Sequence, residues 1–337
     1  MDKYKTFYDM VKKWTVSDYR TQKIKAEVIV DMLISDYIEE IMSQSFGKNI
    51  KLIAKEFPIA RIGQASIEKE GDTSSNRQYA SVDFLMSGNE FGKSTLYLVE
   101  LKTSDDSVDG VQLWNMLWTC SQGSDSLYNR FYDIIVNYGI NDNGNDLSTK
   151  KYQYTLSKYA VDYNLKECEA GIKSFGDERP QDANKKEKRR IKKDQTNTAA
   201  TILNNLKKSF ANAKLQIVYV CLSDEINFAE TANKAFNEGL IQKRIADNKT
   251  VKDFFTATAK IRLDDNNGKP EEIAADISSF IVGHNIEKIL LTDFIPTEEK
   301  KNEWQKIKDI LVELKEEPWG EAWFDVNKLK KLRGDNS

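Results

Sequence analysis

Histidine occurs once in 337 residues, cysteine three times and proline five times. The lone histidine, His284 in "IVGHNIEK", would have to serve any Ser-His-Asp triad, Cys-His pair or imidazole-rich metal site, and no partner motif surrounds it. Cys120, Cys168 and Cys221 are far apart, odd in number and form no C-x-x-C pair, which argues against a disulfide framework and a zinc knuckle. No apolar run reaches the roughly eighteen residues of a membrane-spanning helix, so no membrane span is expected. The opening "MDKYKTFYDMVKKW" lacks the apolar segment of a secretory signal, so a cytoplasmic location is the expectation. Chemistry in this chain is therefore left to carboxylates and lysines.

The net charge of −3 does not advertise a nucleic-acid partner for the chain as a whole. One local run departs from that average. "KKEKRRIKK" (185–193) carries seven basic residues against one acid, Glu187. Its plain reading is a solvated helix or a mobile insertion, and its functional reading is an electrostatic footprint for phosphates.

Periodicity predicts a helix within 17–44, with Val30, Ile34, Tyr37, Ile38 and Ile41 as its buried stripe and Gly47 as its stop. "NIKLIAKEFPIARIG" reads as a strand. "QYASVDFLM" and "STLYLVELKT" read as two more, joined by the turn chemistry of "SGNEFGK". One or two helices follow from Ser107. A charged insertion is expected near 140–195, then the helix "NTAATILNNLKKSFANA" and the buried strand "LQIVYVCL". Two or three helices are expected over 226–282, a strand at "KILLTDFI", and a helix capped by Thr297 and closed by Pro318. This order predicts an α/β core with a mixed central sheet flanked by helices, occupying 1–225. A mainly helical C-terminal part, 226–337, would extend it.

The eye-catching "GNEFGKST" is not a phosphate-binding loop. Gly88 and Gly92 are one residue too close for that motif, and "TLYLVELK" continues as a strand where a helix is required. Its flanks carry more chemistry. On a strand Glu100 and Lys102 point the same way, and Asp83 projects from the neighbouring strand with its apolar neighbours on the opposite face. A hairpin brings the two carboxylates side by side. Together with a main-chain carbonyl they would form a hard-oxygen site for Mg²⁺ or Mn²⁺, and the lysine beside them could orient or deprotonate an attacking water. The plain reading is a half-exposed hairpin whose acids and lysine form surface ion pairs.

The order helix, strand, "VDFL", turn, "VELKT", helix resembles the PD-(D/E)XK nuclease superfamily, the restriction-endonuclease-like fold. The resemblance spans about 17–137, with the strand near 215–222 as a continuation. It implies metal-dependent cleavage of phosphodiesters, most naturally in DNA, with Asp83, Glu100 and the carbonyl of Leu101 as metal ligands and Lys102 as the catalytic lysine. The family's proline is Val82 here. Many members carry a glutamate on the preceding helix. Of Glu27, Glu39 and Glu40, Glu39 reads as solvated, and Glu27 continues the apolar stripe and is the candidate. Gln112, in "DGVQLWNMLW", corresponds to the glutamine of RecB-like members, although Met116 stands where their tyrosine would be. Trp114 and Trp118 could stack on bases, but their i, i+4 spacing reads first as core. The rival from another class is a non-catalytic nucleic-acid-binding or protein-interaction module on the same fold.

Overall fold

The computed structural model of the chain describes residues 26–62, 80–90, 93–102, 108–132, 185–222, 224–263, 269–284 and 286–316. The molecule is built on a five-stranded mixed sheet in the order β1 (Ile50–Ile59), β2 (Ala80–Glu90), β3 (Lys93–Lys102), β4 (Lys214–Cys221) and β5 (Glu287–Leu290). The first three strands form an antiparallel meander, and β3, β4 and β5 run parallel. The β2–β3 hairpin closes on the Glu90–Lys93 pair, so the glycine-rich "GNEFGK" is its turn, although its tip at 91–92 lies outside the described residues.

The predicted first helix is broken in two, α1 (Ala26–Ile34) and α2 (Ile38–Phe46), and its expected start at 17–25 lies outside the described residues. The Ser35 hydroxyl bonds back to the Asp31 carbonyl, a bond that bends helices, and Tyr37 N–H takes the Ile34 carbonyl at 2.8 Å. The break directs Tyr37 toward the C-terminal helix, where its hydroxyl donates to Glu303 at 2.9 Å and its ring lies 5.0 Å from that of Trp304. The predicted stripe is buried across the break. Gly47 ends α2 at φ +63°, a left-handed cap that favours glycine.

Alternation along the strands sends side chains into two cores. Leu96, Leu98, Ile217 and Tyr219 face α3 (Gly110–Tyr132) and α4 (Lys185–Phe210). Tyr97, Val99, Leu101, Val218 and Val220 face α1, α2 and α9 (Lys301–Glu316). Helix α3 bends at Gly123, where φ is +79° and ψ 169°, so the single or double helix of the prediction is two segments meeting at a kink. The helix α4 starts at Lys185, twelve residues before the predicted start at Asn197, so the basic run is helical; its side chains are not among those described, and 133–184 lie outside the described residues.

Beyond β4 come α5 (Phe228–Asn237), α6 (Leu240–Asp247), α7 (Lys249–Asp253), a π-helical turn at Phe254–Thr258 and α8 (Pro270–Gly283). The expected strand "KILLTDFI" pairs only over β5 and then turns into a short 3₁₀ segment, Leu291–Asp293. Gly110 lets α3 settle onto α5: a Cβ there would stand 2.5 Å from the Thr231 carbonyl oxygen and 2.6 Å from the Ala235 Cβ. Among the described residues no helix is long and apolar enough to cross a membrane.

Candidate active site

The ladder between β2 and β3 runs from Glu90–Lys93 to Phe84–Val99 and stops there. On the other side of β2, Lys55 pairs with Phe84 and Phe57 with Val82, and the ladder skips the Glu56–Asp83 level between them. Glu56 sits at φ +43°, an uncommon conformation for a residue with a side chain. The alternation slips at the same level. Val82 enters the α3-side core and Phe84 the opposite one, so Asp83 does not have both apolar neighbours on one face as the sequence suggested. The sheet forks here. β2 stays with β1, and the last residues of β3 stay with β4. Bulges and strained backbone of this kind concentrate beside functional sites.

Asp83 sits at the fork. Its Oδ2 accepts the Leu101 N–H at 2.7 Å, replacing the strand partner that Leu101 has lost. The N–H and C=O of one strand residue point to the same side, so the Leu101 carbonyl also faces Asp83. Glu100 and Lys102 lie on the α3 side, only 4% and 8% exposed. The Lys102 ammonium stands 3.3 Å from Glu100 Oε2. From α3, Gln112 Nε2 donates to Glu100 Oε1 at 3.1 Å and also reaches the Ser81 carbonyl, tying both sides of the fork to one side chain. Burial, and after it the charge of Asp83, push the Glu100 carboxyl up to about 8, against the opposing pull of Lys102 and Gln112.

Four of the residues singled out in the sequence, Asp83, Glu100, Lys102 and Gln112, thus meet at one point with the backbone of Leu101. Glu27 lies in α1, which packs on the Leu101 side of the sheet, and its side chain is not among those described. Glu39 is engaged elsewhere: it pairs with Lys51 at 3.0 Å and accepts the Leu52 N–H at 2.9 Å, beside an irregularity in β1, so it is not simply solvated. Glu40 pairs with Lys300. Trp114 and Trp118 are core side chains at 0% and 4% exposure, and Trp114 Nε1 donates to the Ala232 carbonyl at 3.0 Å. His284 closes α8, its ring 4.0 Å from that of Phe280.

Tyr219 was missed. It pairs with Glu100 across the β3–β4 ladder, and its buried hydroxyl has no hydrogen-bond partner among the described residues. Burial holds its pKa well above the ordinary value, and the charges of Glu100, Cys221, Asp109 and Asp83 add to this. The only signal in the sequence was a hydroxyl within the otherwise apolar "LQIVYVCL". Compared with known proteins, the chain matches no family model, no curated protein and no solved structure. The site therefore stands on its own geometry.

Proposed function

We propose that the protein is a divalent-metal-dependent nuclease that hydrolyses phosphodiester bonds, with DNA as its substrate. The observation that carries this reading is the fork itself: Asp83 holding the Leu101 N–H at 2.7 Å, next to a buried Glu100–Lys102 pair at 3.3 Å. The element order also accords with the restriction-endonuclease-like core that the sequence resembles, namely helix, three-stranded meander, helix and a parallel fourth strand.

The residues fit a hard divalent cation. Burial first, and then the charge of Asp83, keep Glu100 prone to hold a proton although Lys102 lies beside it, and a cation would offset both effects. Among the described residues no cluster of three or more Asp, Glu, His or Cys side chains forms. Asp83, Glu100 and the Leu101 carbonyl would hold Mg²⁺ or Mn²⁺, with the remaining positions filled by water or substrate oxygens. Bound there, the ion supplies an acidified water and neutralises phosphate charge. Gln112 fixes the Glu100 carboxylate in place. Lys102, once Glu100 turns to the cation, is placed to orient the attacking water or to balance charge on the phosphate. Its low exposure keeps both interactions strong.

One observation favours the rival, a non-catalytic binding or interaction module: Lys102 and Gln112 already satisfy Glu100 within the chain. Incubating wild type, Asp83→Ala and Lys102→Ala with plasmid and linear DNA, in Mg²⁺, Mn²⁺ or EDTA, separates the two. The nuclease reading expects metal-dependent cleavage by wild type alone. Wild type that cuts nothing in any metal, or Asp83→Ala that cuts equally well, would return the site to a structural ion pair.

A further inference from the structure

Strand β4 runs beside β3 past the level of the fork. Glu100 pairs with Tyr219 and Lys102 with Cys221, and the Leu222 N–H donates to the Lys102 carbonyl at 3.1 Å. Paired residues of neighbouring strands lie about 4.8 Å apart and send their side chains to the same face. On one side of the Glu100–Lys102 pair the β2 ladder has ended, and on the other side β4 continues. On this face β4 presents Leu215, Ile217, Tyr219 and Cys221. The first two are apolar, and a thiol is a weak donor. Tyr219 therefore supplies the strong donor that β4 sets beside Glu100.

That donor is idle. The Tyr219 hydroxyl is buried and has no hydrogen-bond partner among the described residues. Its ring packs 4.7 Å from that of Phe228, at the start of α5. A phenylalanine would give the same packing without burying a hydroxyl, so an unmet hydroxyl at this position calls for an explanation. Glu100, its ladder partner, is met by Gln112 at Oε1 and by Lys102 at Oε2, whereas a carboxylate accepts about four hydrogen bonds. Glu100 is also the charge that acts most strongly on the Tyr219 hydroxyl. An idle donor thus stands beside an acceptor with capacity to spare.

We infer that Tyr219 is a positioning residue of the proposed metal centre, its hydroxyl donating to the Glu100 carboxylate when that group turns from Lys102 to the cation. The inference rests on the nuclease reading, because in the metal-free arrangement Lys102 holds Glu100 and the hydroxyl has no task. Turning withdraws the Lys102 ammonium from the carboxylate. A hydrogen bond to an ionised acceptor is about twice as strong as a neutral one, so Tyr219 would offset part of that loss and hold the carboxylate toward the cation. Gln112 from α3 and Tyr219 from β4 would then brace Glu100 from opposite elements.

The test uses the full chain, with Tyr219→Phe as the informative variant because it keeps the ring. Mn²⁺ affinity is measured by titration calorimetry, without DNA, on wild type, Tyr219→Phe and Asp83→Asn. Thermal unfolding of each is followed with and without Mn²⁺. Without metal, Tyr219→Phe should melt no lower than wild type, because the change removes only an unmet hydroxyl. It should bind Mn²⁺ about 10-fold more weakly than wild type and gain correspondingly less stability from the ion. The near-ultraviolet difference spectrum that Mn²⁺ induces in wild type should carry a tyrosine band that the variant lacks. A tyrosine serving the fold alone would lower the metal-free melting temperature on substitution and leave the Mn²⁺ affinity unchanged, and that result overturns the inference. The two readings fail separately. Mn²⁺ binding that depends on Asp83 and not on Tyr219 removes the positioning role alone. Mn²⁺ binding that depends on both, in a protein that cuts no DNA in any metal, removes the nuclease reading alone. Wild type that binds no Mn²⁺ removes both.

Discussion

The Asp83 carboxylate and the Leu101 N–H, 2.7 Å apart, join two strands at the level where their backbones have stopped pairing. A side chain here does the work of a strand partner, while the neighbouring Glu100 is held by Lys102 and Gln112. This relationship separates what Asp83 does for the fold from what it does for chemistry. Asp83→Asn keeps an oxygen to accept the Leu101 N–H and removes the charge. The variant should unfold at a urea midpoint close to wild type and lose metal-dependent cleavage, whereas Asp83→Ala should lose stability as well, by about 1–3 kcal/mol for the unsatisfied N–H. Equal cleavage by wild type and Asp83→Asn would remove the carboxylate from the chemistry.

Glu100 predicts a pH dependence with a definite sign. Its folded-state pKa of about 8 lies above the ordinary 4.5, so the metal-free native state holds a proton that the unfolded chain releases. The contribution to stability is complete below the ordinary value and is lost as pH rises through the folded-state one. Denaturant titrations of metal-free protein should show wild type weakening from pH 5 to pH 8, bounded by the 4.5 and 8 of this group, with that component absent in Glu100→Gln. Parallel pH profiles for the two proteins would show that Glu100 is not so perturbed.

Gln112 acts through Glu100 and the Ser81 carbonyl. Gln112→Ala frees the carboxylate to rotate, and loss of such a positioning contact costs about 10–100-fold in metal affinity or activity. The expected signature is a raised Mn²⁺ requirement for cleavage with the fold intact by circular dichroism. An unchanged metal requirement would make Gln112 a bystander.

Gly110 tests the placement of α3. With a Cβ 2.5 Å from the Thr231 oxygen, Gly110→Ala forces α3 and α5 apart, and overpacking of this kind costs about 1–3 kcal/mol. A fall in the urea midpoint is expected, together with lower activity because Gln112 moves with the helix. A neutral substitution would contradict the close packing.

The meander was legible in the sequence because its strands alternate and its turn carries glycine, so the placement of Glu100 and Lys102 on one face followed directly. Local rules could not show the fork. "SVDFLM" contains no glycine or proline to announce a slip in alternation, and the slip depends on Glu56 across the neighbouring strand. The break at Ser35–Tyr37 was hidden for a similar reason, since the partner of Tyr37 is Glu303, 266 residues away. Tyr219 escaped notice because it reaches Glu100 only through the pairing of β3 with β4, which residue spacing does not encode. The basic run at 185–193 reads in the sequence as a solvated helix or a mobile insertion, within a charged insertion; it opens a helix that begins earlier than the apolar pattern indicates.

The most direct measurement is a crystal structure of the protein soaked in Mn²⁺, read by anomalous scattering. The account predicts a peak at the fork, with oxygens of Asp83, Glu100 and Leu101 within about 2.0–2.6 Å of it and Glu100 turned from Lys102 toward the ion. No peak there at saturating Mn²⁺, with Glu100 still held by Lys102 and Gln112, would contradict it.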